Sequence, residues 1–288
     1  MKLALFGGLY SNYLALEQAV IDARSRGADA MYCLGDLGAF GPHPDRVFPI
    51  LQQNSIACVQ GNYDDSIGNE LDDCQCGYTD PQDNYFAQIS YDYTLAGTGD
   101  ANKAWLRELP KEIRLNVDGL NVLLCHGSPR RTNEFLWQST TSTAFLDRLT
   151  DEHEADIIIG THSGIHWQRE LRDGRRYINV GVLGRPENDG TTNVWYAVVN
   201  IGSAAGPDSV PCSAGRPSSR LTVSQERTSD TSVPVSVEFV PVEYDYHRLA
   251  AEMKSEKLPD EFIETVMTGW WTTCLEILPS RERRSGRL

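Results

Sequence analysis

The sequence is poor in positive charge, and it has neither a long apolar run nor an even number of cysteines. Its 26 Lys and Arg residues are outnumbered by 40 Asp and Glu residues, which gives a formal net charge of −14. So acidic a chain repels nucleic-acid backbones and anionic membranes, and neither is expected as a partner. No apolar run approaches the about 20 residues of a membrane span, and MKLALFGG has too short an apolar stretch for a secretory signal. We therefore expect a cytoplasmic protein.

Seven cysteines fit a reducing compartment better than a framework of disulfides. Cys33, Cys58 and Cys125 lie in apolar, strand-like runs and are interpreted as small buried side chains. Cys74 and Cys76 form a C-x-C pair in a polar loop, and this spacing fits a redox pair, a metal clip or a structural role.

Short apolar runs alternate with helical patterns in the first part of the chain. A strand is predicted over 2–6 and a helix over 12–26, and two further apolar runs stop at Gly35-Asp36 and Gly61-Asn62. This βαβαβ pattern predicts a largely parallel sheet with helices on its faces. The polar, acidic segment 64–83 is predicted to be an irregular loop.

The second part of the chain favours antiparallel pairing. Hairpins are predicted around Asp118-Gly119 and Asp173-Gly174, and two further strands lie in NVWYAVVNI and VSVEFVPVEYD. The whole predicts an α/β (α+β) fold in which two packed mixed sheets are flanked by helices.

The domain organisation follows from composition. One domain is predicted over 1–201 plus 235–250. Residues 202–234 are rich in Ser, Gly, Pro and Thr and are predicted to be a disordered loop insertion. Residues 251–288 are predicted to form a C-terminal helix, a Trp pair and a basic tail that pack on the same domain.

Five loops follow strand-like runs and carry most of the chemistry: GGLYSN, GDLGAFGPHP, GNYDD, CHGSPRR and THSGIHW. Four of them place a polar side chain at the end of an apolar strand, namely Asp36, Asn62, His126 and His162. Because strand ends on one edge of a sheet converge, these side chains are expected to meet. A carboxylate, an amide oxygen and two imidazoles suit Mn, Fe or Zn. The first loop, by contrast, carries neither a carboxylate nor a histidine.

In this order the loops resemble the motifs of the calcineurin-like metallophosphoesterases, in particular the bacterial branch of small phosphodiesterases and diadenosine-tetraphosphatase-like proteins. That family has D-x-H, G-D-x-x-x-x-G-P-x-P, G-N-H-D, H-G and G-H-x-H. GDLGAFGPHP and CHGSP match the second and fourth motifs, GNYD matches the third at three of four positions, and INVGVLGRP resembles the segment after the last motif. The resemblance implies an αββα sandwich, a small phosphorylated substrate and transition-metal cofactors.

The departures from the family pattern concern one metal. In the family two metals share the aspartate of the second motif, here Asp36. The resemblance implies that Asp36, Asn62, His126 and His162 hold one of them, and these four are called the metal quartet below. The remaining ligands of the other metal fall on Gly8, Tyr10 and Gly164. The alignment therefore predicts a mononuclear site with one Mn, Fe or Zn ion.

The resemblance also implies catalytic roles at the third and first motifs. Tyr63 stands where the family has a histidine that contacts the phosphate or protonates the leaving group, and Asp64 is expected to orient Tyr63. Tyr10 is expected to fill the space of the missing metal or to donate to the transferred group.

Three further residues are predicted to contact the substrate: Arg130, Asn12 and His166. Arg130 and its neighbour Arg131 follow the H-G motif and are suited to clamp an anion, although a solvent-facing pair is the simpler interpretation. His166 could serve as a substitute ligand or acid, although a solvated or stacked loop histidine is the simpler interpretation.

The sequence thus predicts a metal-dependent phosphoesterase that hydrolyses a phosphodiester or phosphomonoester with one metal ion and a metal-activated water. Two alternatives stay open. One is a non-hydrolytic reaction at a single iron, with tyrosinate ligation. The other is a non-catalytic descendant that binds a phosphorylated metabolite or a partner protein. Exposed strand edges and the Trp pair are compatible with a homo-oligomer.

Overall fold

The computed structural model describes residues 1–202 and 233–283. Within these ranges the strands are β1 (Lys2–Phe6), β2 (Ala30–Cys33), β3 (Ala57–Cys58), β4 (Glu112–Val117), β5 (Leu120–Cys125), β6 (Ile157–Gly160), β7 (His166–Glu170), β8 (Arg176–Val180), β9 (Val194–Ile201) and β10 (Val235–Val242). The helices are α1 (Tyr13–Ser25), α2 (Val47–Gln53), α3 (Asn62–Asn69), α4 (Pro81–Gly97), α5 (Asp100–Arg107), α6 (Thr143–Glu152), α7 (Tyr246–Ser255) and α8 (Asp260–Thr268).

The first sheet has the order β10-β9-β1-β2-β3. Strands β1, β2 and β3 are parallel, and β9 joins β1 in antiparallel fashion. Strand β1 is central, and its residues from Leu3 to Phe6 are fully buried. This explains its continuous apolar run, since a strand covered on both faces does not alternate.

The second sheet has the order β4-β5-β6-β8-β7. Strands β5, β6 and β8 are parallel, while β4 and β7 are antiparallel edge strands. Both predicted hairpins are confirmed. At the first, Asp118 and Gly119 have positive φ values of 50° and 88°, as a tight two-residue hairpin requires.

The two sheets pack face to face, and helices cover their outer faces. Alternate residues of β1 face opposite sides: Leu3 and Leu5 join the core between the sheets, whereas Ala4 and Phe6 contact the helical layer. Helices α7 and α8 contribute to that layer through Met253 and other buried residues. The predicted fold of two mixed sheets flanked by helices is confirmed, with the layer order αββα.

The prediction of an irregular loop over 64–83 was wrong at both ends. Helix α3 covers Asn62–Asn69, and α4 begins at Pro81, so only 70–80 are irregular. The polar, acidic composition of this segment favoured a loop over both helices. Acidic side chains in the first turn of α3 interact favourably with the helix dipole, and Asp80 caps α4 ahead of Pro81.

Two predicted segments lie outside the described residues: most of the insertion at 202–234 and the end of the basic tail at 284–288. The division into domains therefore stays a prediction. No described helix combines the length and the apolar character needed to cross a membrane.

Candidate metal centre

The metal quartet lies at the carboxyl ends of parallel strands from both sheets. Asp36 and Asn62 follow β2 and β3 of the first sheet, and His126 and His162 follow β5 and β6 of the second. Each of the four side chains is buried, with at most 7% exposure. The face-to-face packing of the sheets brings these ends together, as the strand-end argument predicts.

His126 is at the centre of the quartet. Its Nε2 lies 3.2 Å from Asp36 Oδ2 and 3.1 Å from His162 Nδ1. Its Nδ1 donates a hydrogen bond to the Leu34 carbonyl oxygen at 2.6 Å, which leaves the Nε2 lone pair facing the centre. One ligand atom each from Asp36, His126 and His162 lies within 4.8 Å of the others, and these three form a candidate metal site.

Asn62 completes the quartet with an oxygen. Its Nδ2 donates to the Cys74 carbonyl oxygen at 2.8 Å. Its Oδ1 is buried and has no hydrogen-bond partner among the residues that the structure describes. A buried acceptor without a partner costs about 1–3 kcal/mol. Together with one carboxylate and two imidazoles, this orphan oxygen fits a divalent transition-metal ion.

Electrostatics also distinguish the members of the quartet. Burial alone would raise the pKa of Asp36, but His126, His162 and the Tyr63 backbone N–H together bring that pKa below its ordinary value. Burial opposes protonation of His126, yet the Asp36 carboxylate raises the pKa of that imidazole. Burial and the charge of His126 lower the pKa of His162 to about 3. His162 is therefore neutral and able to donate its lone pair to a cation.

Asp64 positions the Asp36 loop and does not orient Tyr63. Its buried carboxylate accepts backbone N–H groups of Asp36 and Gly61 at 2.8 Å each and of Leu37 at 3.0 Å. Burial and the Asp36 charge raise its pKa to about 6. A side chain at Gly61 would collide with the Asp36 carboxylate, so the close approach of the two loops requires glycine there.

Tyr63 is placed differently from its predicted role. Its hydroxyl donates to Ser90 Oγ at 3.0 Å and contacts the Ala87 carbonyl oxygen, both in α4. Burial raises its pKa well above the ordinary value. The phenol therefore anchors α4, and neither proton donation to a leaving group nor tyrosinate ligation of iron is supported by this placement.

The positions aligned with the other metal are closed by aromatic rings. A Cβ at Gly8 would lie 2.8 Å from the Tyr10 ring, and a Cβ at Gly164 would lie 2.9 Å from the Trp271 ring. Gly164 also has a φ of 79°, which disfavours any other residue. Burial and the Asp36 charge strongly raise the pKa of Tyr10, so its phenol stays neutral beside the carboxylate.

A buried cation lies in this closed half, and the sequence reasoning missed it. The Arg185 guanidinium is centred 4.1 Å from the Trp271 ring and 5.0 Å from the Phe40 ring, and it donates to the Thr273 carbonyl oxygen at 2.8 Å. Arg185 is 5% exposed. It falls within INVGVLGRP, so the motif signal was present, but the contact with Trp271 depends on the C-terminal segment folding back.

The three predicted substrate contacts are engaged elsewhere. Arg130 pairs with Glu134 and stacks on the Phe145 ring at 4.8 Å. Asn12 caps α1 by accepting from Ala15 N and donating to the Gly184 carbonyl oxygen. His166 lies 2.7 Å from a Glu187 carboxylate oxygen and stacks on Phe239. The contacts that the structure gives these three side chains are therefore with residues outside the quartet.

Cys74 and Cys76 are joined by a disulfide, the only one in the described part of the chain. Both are buried, and Cys76 Sγ lies 3.4 Å from Asn62 Nδ2. The pair also lines a cleft of about 910 Å³, counting its open mouth, together with Arg131 and Asn133. Cys33, Cys58 and Cys125 are buried thiols, as predicted.

An αββα sandwich with nitrogen and oxygen ligands at its strand ends defines a class of metal-binding α/β proteins. The chain belongs to the calcineurin-like phosphoesterase superfamily, since the profile described as "Calcineurin-like phosphoesterase superfamily domain" matches residues 1–206. The resemblance inferred from the motifs is thereby confirmed.

Individual proteins are also similar to this chain in sequence or in fold. The uncharacterized protein MJ0912 of Methanocaldococcus jannaschii is 26% identical over 212 residues, which are 68% of this chain and 81% of the relative. The crystal structure of the hypothetical protein PH1004 of Pyrococcus horikoshii has a TM-score of 0.68 at 17% identity, covering 94% of this chain and 99% of that chain. A metallophosphoesterase from Sphaerobacter thermophilus has a TM-score of 0.63 at 20% identity, covering 93% and 99%.

Proposed function

We propose that the protein is a phosphoesterase that works with a single metal ion held by the metal quartet. Family membership supports the reaction class, and the convergence of the quartet supports the cation. The observation that carries the mononuclear assignment is the closure of the Gly8 and Gly164 positions by Tyr10 and Trp271. A second ion would have to displace two buried rings.

A divalent cation bound by the quartet supplies Lewis acidity to a phosphoryl oxygen and lowers the pKa of a water. The chain's own contribution is orientation. Leu34 fixes the His126 tautomer, and Asp64 fixes the backbone that carries Asp36. Outer contacts of this kind commonly tune metal affinity by about 10–100-fold.

The placement of the two phenols limits which leaving groups the substrate can carry. Burial raises the pKa of both Tyr10 and Tyr63, and the Tyr63 hydroxyl is already bonded to Ser90. Neither phenol is suited to protonate a leaving oxygen. A good leaving group needs no such proton, so we expect a phosphate ester of an acidic alcohol, such as an aryl phosphodiester, to be preferred.

Arg131 is a better candidate than Arg130 for holding the anionic substrate. Arg130 forms an ion pair with Glu134. Arg131 lies near enough to Glu134 to lower the pKa of that carboxyl, but its guanidinium forms no ion pair within the described ranges. Arg131 Nε donates to Asn133 Oδ1 at 2.8 Å and lines the polar cleft beside the disulfide. The disulfide that lines this cleft also contacts Asn62 of the quartet. This shared neighbour supports Arg131 as the cation that holds the substrate.

The test is a metal titration with two substrates. Metal-free protein is loaded stepwise with Mn²⁺, Fe²⁺ or Zn²⁺, and hydrolysis of bis(4-nitrophenyl) phosphate is compared with that of a dialkyl phosphate. We expect turnover of the aryl diester to saturate at one equivalent and the dialkyl ester to react far more slowly. A rate that needs two equivalents would contradict the single-metal proposal. Bound metal without turnover of any ester would favour the non-catalytic alternative.

The same assay examines the arginines. Arg131→Ala is expected to raise KM with little change in kcat, since it removes binding present in both ground and transition states. Arg130→Ala is the matched control and should leave KM unchanged. An equal effect of both variants would contradict a specific role for Arg131.

A further inference from the structure

The segment of residues 74–76 contacts the metal quartet at Asn62. The Cys74 carbonyl oxygen accepts a hydrogen bond from Asn62 Nδ2 at 2.8 Å. Because a carbonyl oxygen can only accept, it binds the nitrogen end of the Asn62 amide and leaves the oxygen end facing elsewhere. That oxygen is buried and has no hydrogen-bond partner among the residues that the structure describes. The Cys74 carbonyl therefore determines which end of the amide is available to a cation.

The 74–76 segment is itself fixed by contacts of two kinds. A disulfide joins its two ends, and the Asp73 carboxylate accepts the Gln75 backbone N–H at 2.7 Å. These two contacts are local. The third contact comes from another part of the chain, since Asn133 Nδ2 donates to the Gln75 carbonyl oxygen at 2.7 Å. Asn133 thus ties the segment to the loop that follows His126.

Asn133 uses both ends of its amide. Its Oδ1 accepts from Arg131 Nε at 2.8 Å, while its Nδ2 donates to the Gln75 carbonyl oxygen. An amide carries an acceptor and a donor on one rigid planar group, so it can bridge an arginine and a backbone carbonyl. Arg131, Asn133 and Gln75 line the same polar cleft. One side chain therefore contacts both the cation of the cleft and the segment that orients Asn62.

We propose that Asn133 is a positioning residue that keeps the Asn62 oxygen directed at the cation and holds Arg131 in the cleft. The proposal rests on the proposed function, in which Asn62 is a ligand and Arg131 a substrate contact. Without Asn133, the 74–76 segment keeps its disulfide but loses its tie to the loop after His126. The Asn62 amide then loses a fixed acceptor for its nitrogen, and an amide nitrogen has no lone pair to offer a cation.

The first measurement is the Zn²⁺ affinity of the full-length protein, stripped of metal and titrated in competition with a chromogenic chelator. Asn133→Ala is expected to weaken Zn²⁺ binding by about tenfold, the lower end of the effect of partners that orient metal ligands. Arg131→Ala should bind Zn²⁺ as the wild type does, because it leaves the bond from Asn133 to Gln75 intact. In the aryl diester assay both variants should raise KM, since Arg131 is lost in one and loses its acceptor in the other.

Two further variants sharpen this measurement. Asn84→Ala is the matched control, because Asn84 lines the same cleft and donates its amide to the Tyr78 carbonyl oxygen, outside the 74–76 segment. It should leave the Zn²⁺ affinity unchanged. Asn133→Asp still accepts from Arg131 but cannot donate to Gln75. It should weaken Zn²⁺ binding, even though its added negative charge by itself favours a cation.

The second measurement needs neither metal nor substrate. Hydrogen exchange of the Asn62 side-chain amide is followed by NMR in the metal-free protein, with Asn62→Asp used to identify the signal by its absence. The amide is buried and bonded to the Cys74 carbonyl, so exchange should be slow in the wild type and faster in Asn133→Ala. The backbone amide of Ile158, in buried strand β6, is the internal reference, because a loss of global stability alone would accelerate both.

The outcomes separate this proposal from the proposed function. Unchanged Zn²⁺ affinity, or unchanged exchange at Asn62, in folded Asn133→Ala would overturn the positioning role and leave the quartet intact. Equal losses of affinity in Asn133→Ala and Asn84→Ala would also overturn it, since the effect would not depend on the 74–76 segment. If circular dichroism shows that Asn133→Ala does not fold, Asn133→Asp is measured in its place. Failure of the wild type to bind Zn²⁺ or Mn²⁺ would overturn the quartet and the proposed function with it.

Discussion

Asp36 lies between two groups of residues at the carboxyl ends of strands from both sheets, and these two halves of the site differ in what fills them. On one side Asn62, His126 and His162 converge with buried polar atoms and an oxygen that lacks a partner. On the other side two glycines face the rings of Tyr10 and Trp271. Loss of ligands by drift would be expected to affect both halves. The one-sided pattern is what the single-metal proposal expects, with one cation site kept and the other replaced by packing.

The two halves also differ in where their positive charge comes from. The quartet is suited to receive a cation, whereas the closed half contains a permanent one, the Arg185 guanidinium between Phe40 and Trp271. An arginine remains charged at any physiological pH. The region beside Asp36 can thus keep a positive charge without a second metal. Three predictions test this difference between the two halves.

The largest effect is expected from removing the central ligand of the kept half. His126→Ala deletes the imidazole that contacts Asp36, His162 and Leu34. Metal affinity should fall by at least about 100-fold, because a direct ligand matters more than an outer contact. The measurement is metal content per chain by elemental analysis, with circular dichroism as the check on folding.

The matched control is Arg130→Ala, which removes an exposed cation beside the same loop. It should retain about one metal per chain. If His126→Ala also retains metal while Arg130→Ala does not, the quartet is not the binding site and the comparison between the halves loses its basis.

The next prediction concerns variants that restore the ligands of the second metal in the closed half. The triple variant Gly8→Asp, Tyr10→His and Gly164→His restores the family's ligand types, but Trp271 still occupies the space at Gly164. We therefore expect the triple variant to bind one metal per chain and to be destabilised by about 1–3 kcal/mol from the positive φ at position 164. Adding Trp271→Leu should allow a second ion.

Elemental analysis distinguishes the outcomes, and Trp271→Leu alone is the control for the loss of packing. Two metals in the triple variant with Trp271 intact would contradict the claim that this ring closes the site. One metal even after Trp271→Leu, in a folded protein, would leave the alignment of Gly164 with the missing histidine unsupported.

The sequence predicted the kept half better than the closed half, for a physical reason. Asp36, Asn62, His126 and His162 each follow a strand directly, so knowing the strands was enough to bring them together. Trp271 reaches Gly164 only because the chain after α8 folds back over the site, and no local pattern encodes that contact. Tyr63 shows the same limit, since its motif position suggested chemistry while its hydroxyl partner, Ser90, lies in a helix whose packing is tertiary.

Helix α3 was missed for a different reason. Its residues are polar, and its first turn carries Asp64 and Asp65, so hydrophobic periodicity was a poor guide. The Asp64 carboxylate accepts the N–H of Gly61 at the start of the helix, and it ties the helix to the Asp36 loop by accepting the N–H groups of Asp36 and Leu37. The pattern of apolar residues was enough to predict the overall fold. The loops that complete the site are held by polar contacts, which a hydrophobic pattern cannot predict.

The smallest effect is expected at Tyr63, where motif and structure disagree. Tyr63→Phe removes the hydrogen bond to Ser90 Oγ and should lower the free energy of unfolding by about 0.5–1.5 kcal/mol. Because the phenol is engaged with α4, kcat should stay within about twofold of wild type, far from the roughly 100-fold or greater loss that follows removal of a proton donor. Urea unfolding measures the stability, and the aryl diester assay measures kcat.

Ser90→Ala is the matched variant and should lower stability similarly, because it breaks the same hydrogen bond from the other side. A large drop in kcat for Tyr63→Phe at unchanged stability, without a counterpart in Ser90→Ala, would mean that the phenol leaves α4 when substrate binds, and the catalytic role suggested by the motif would be restored.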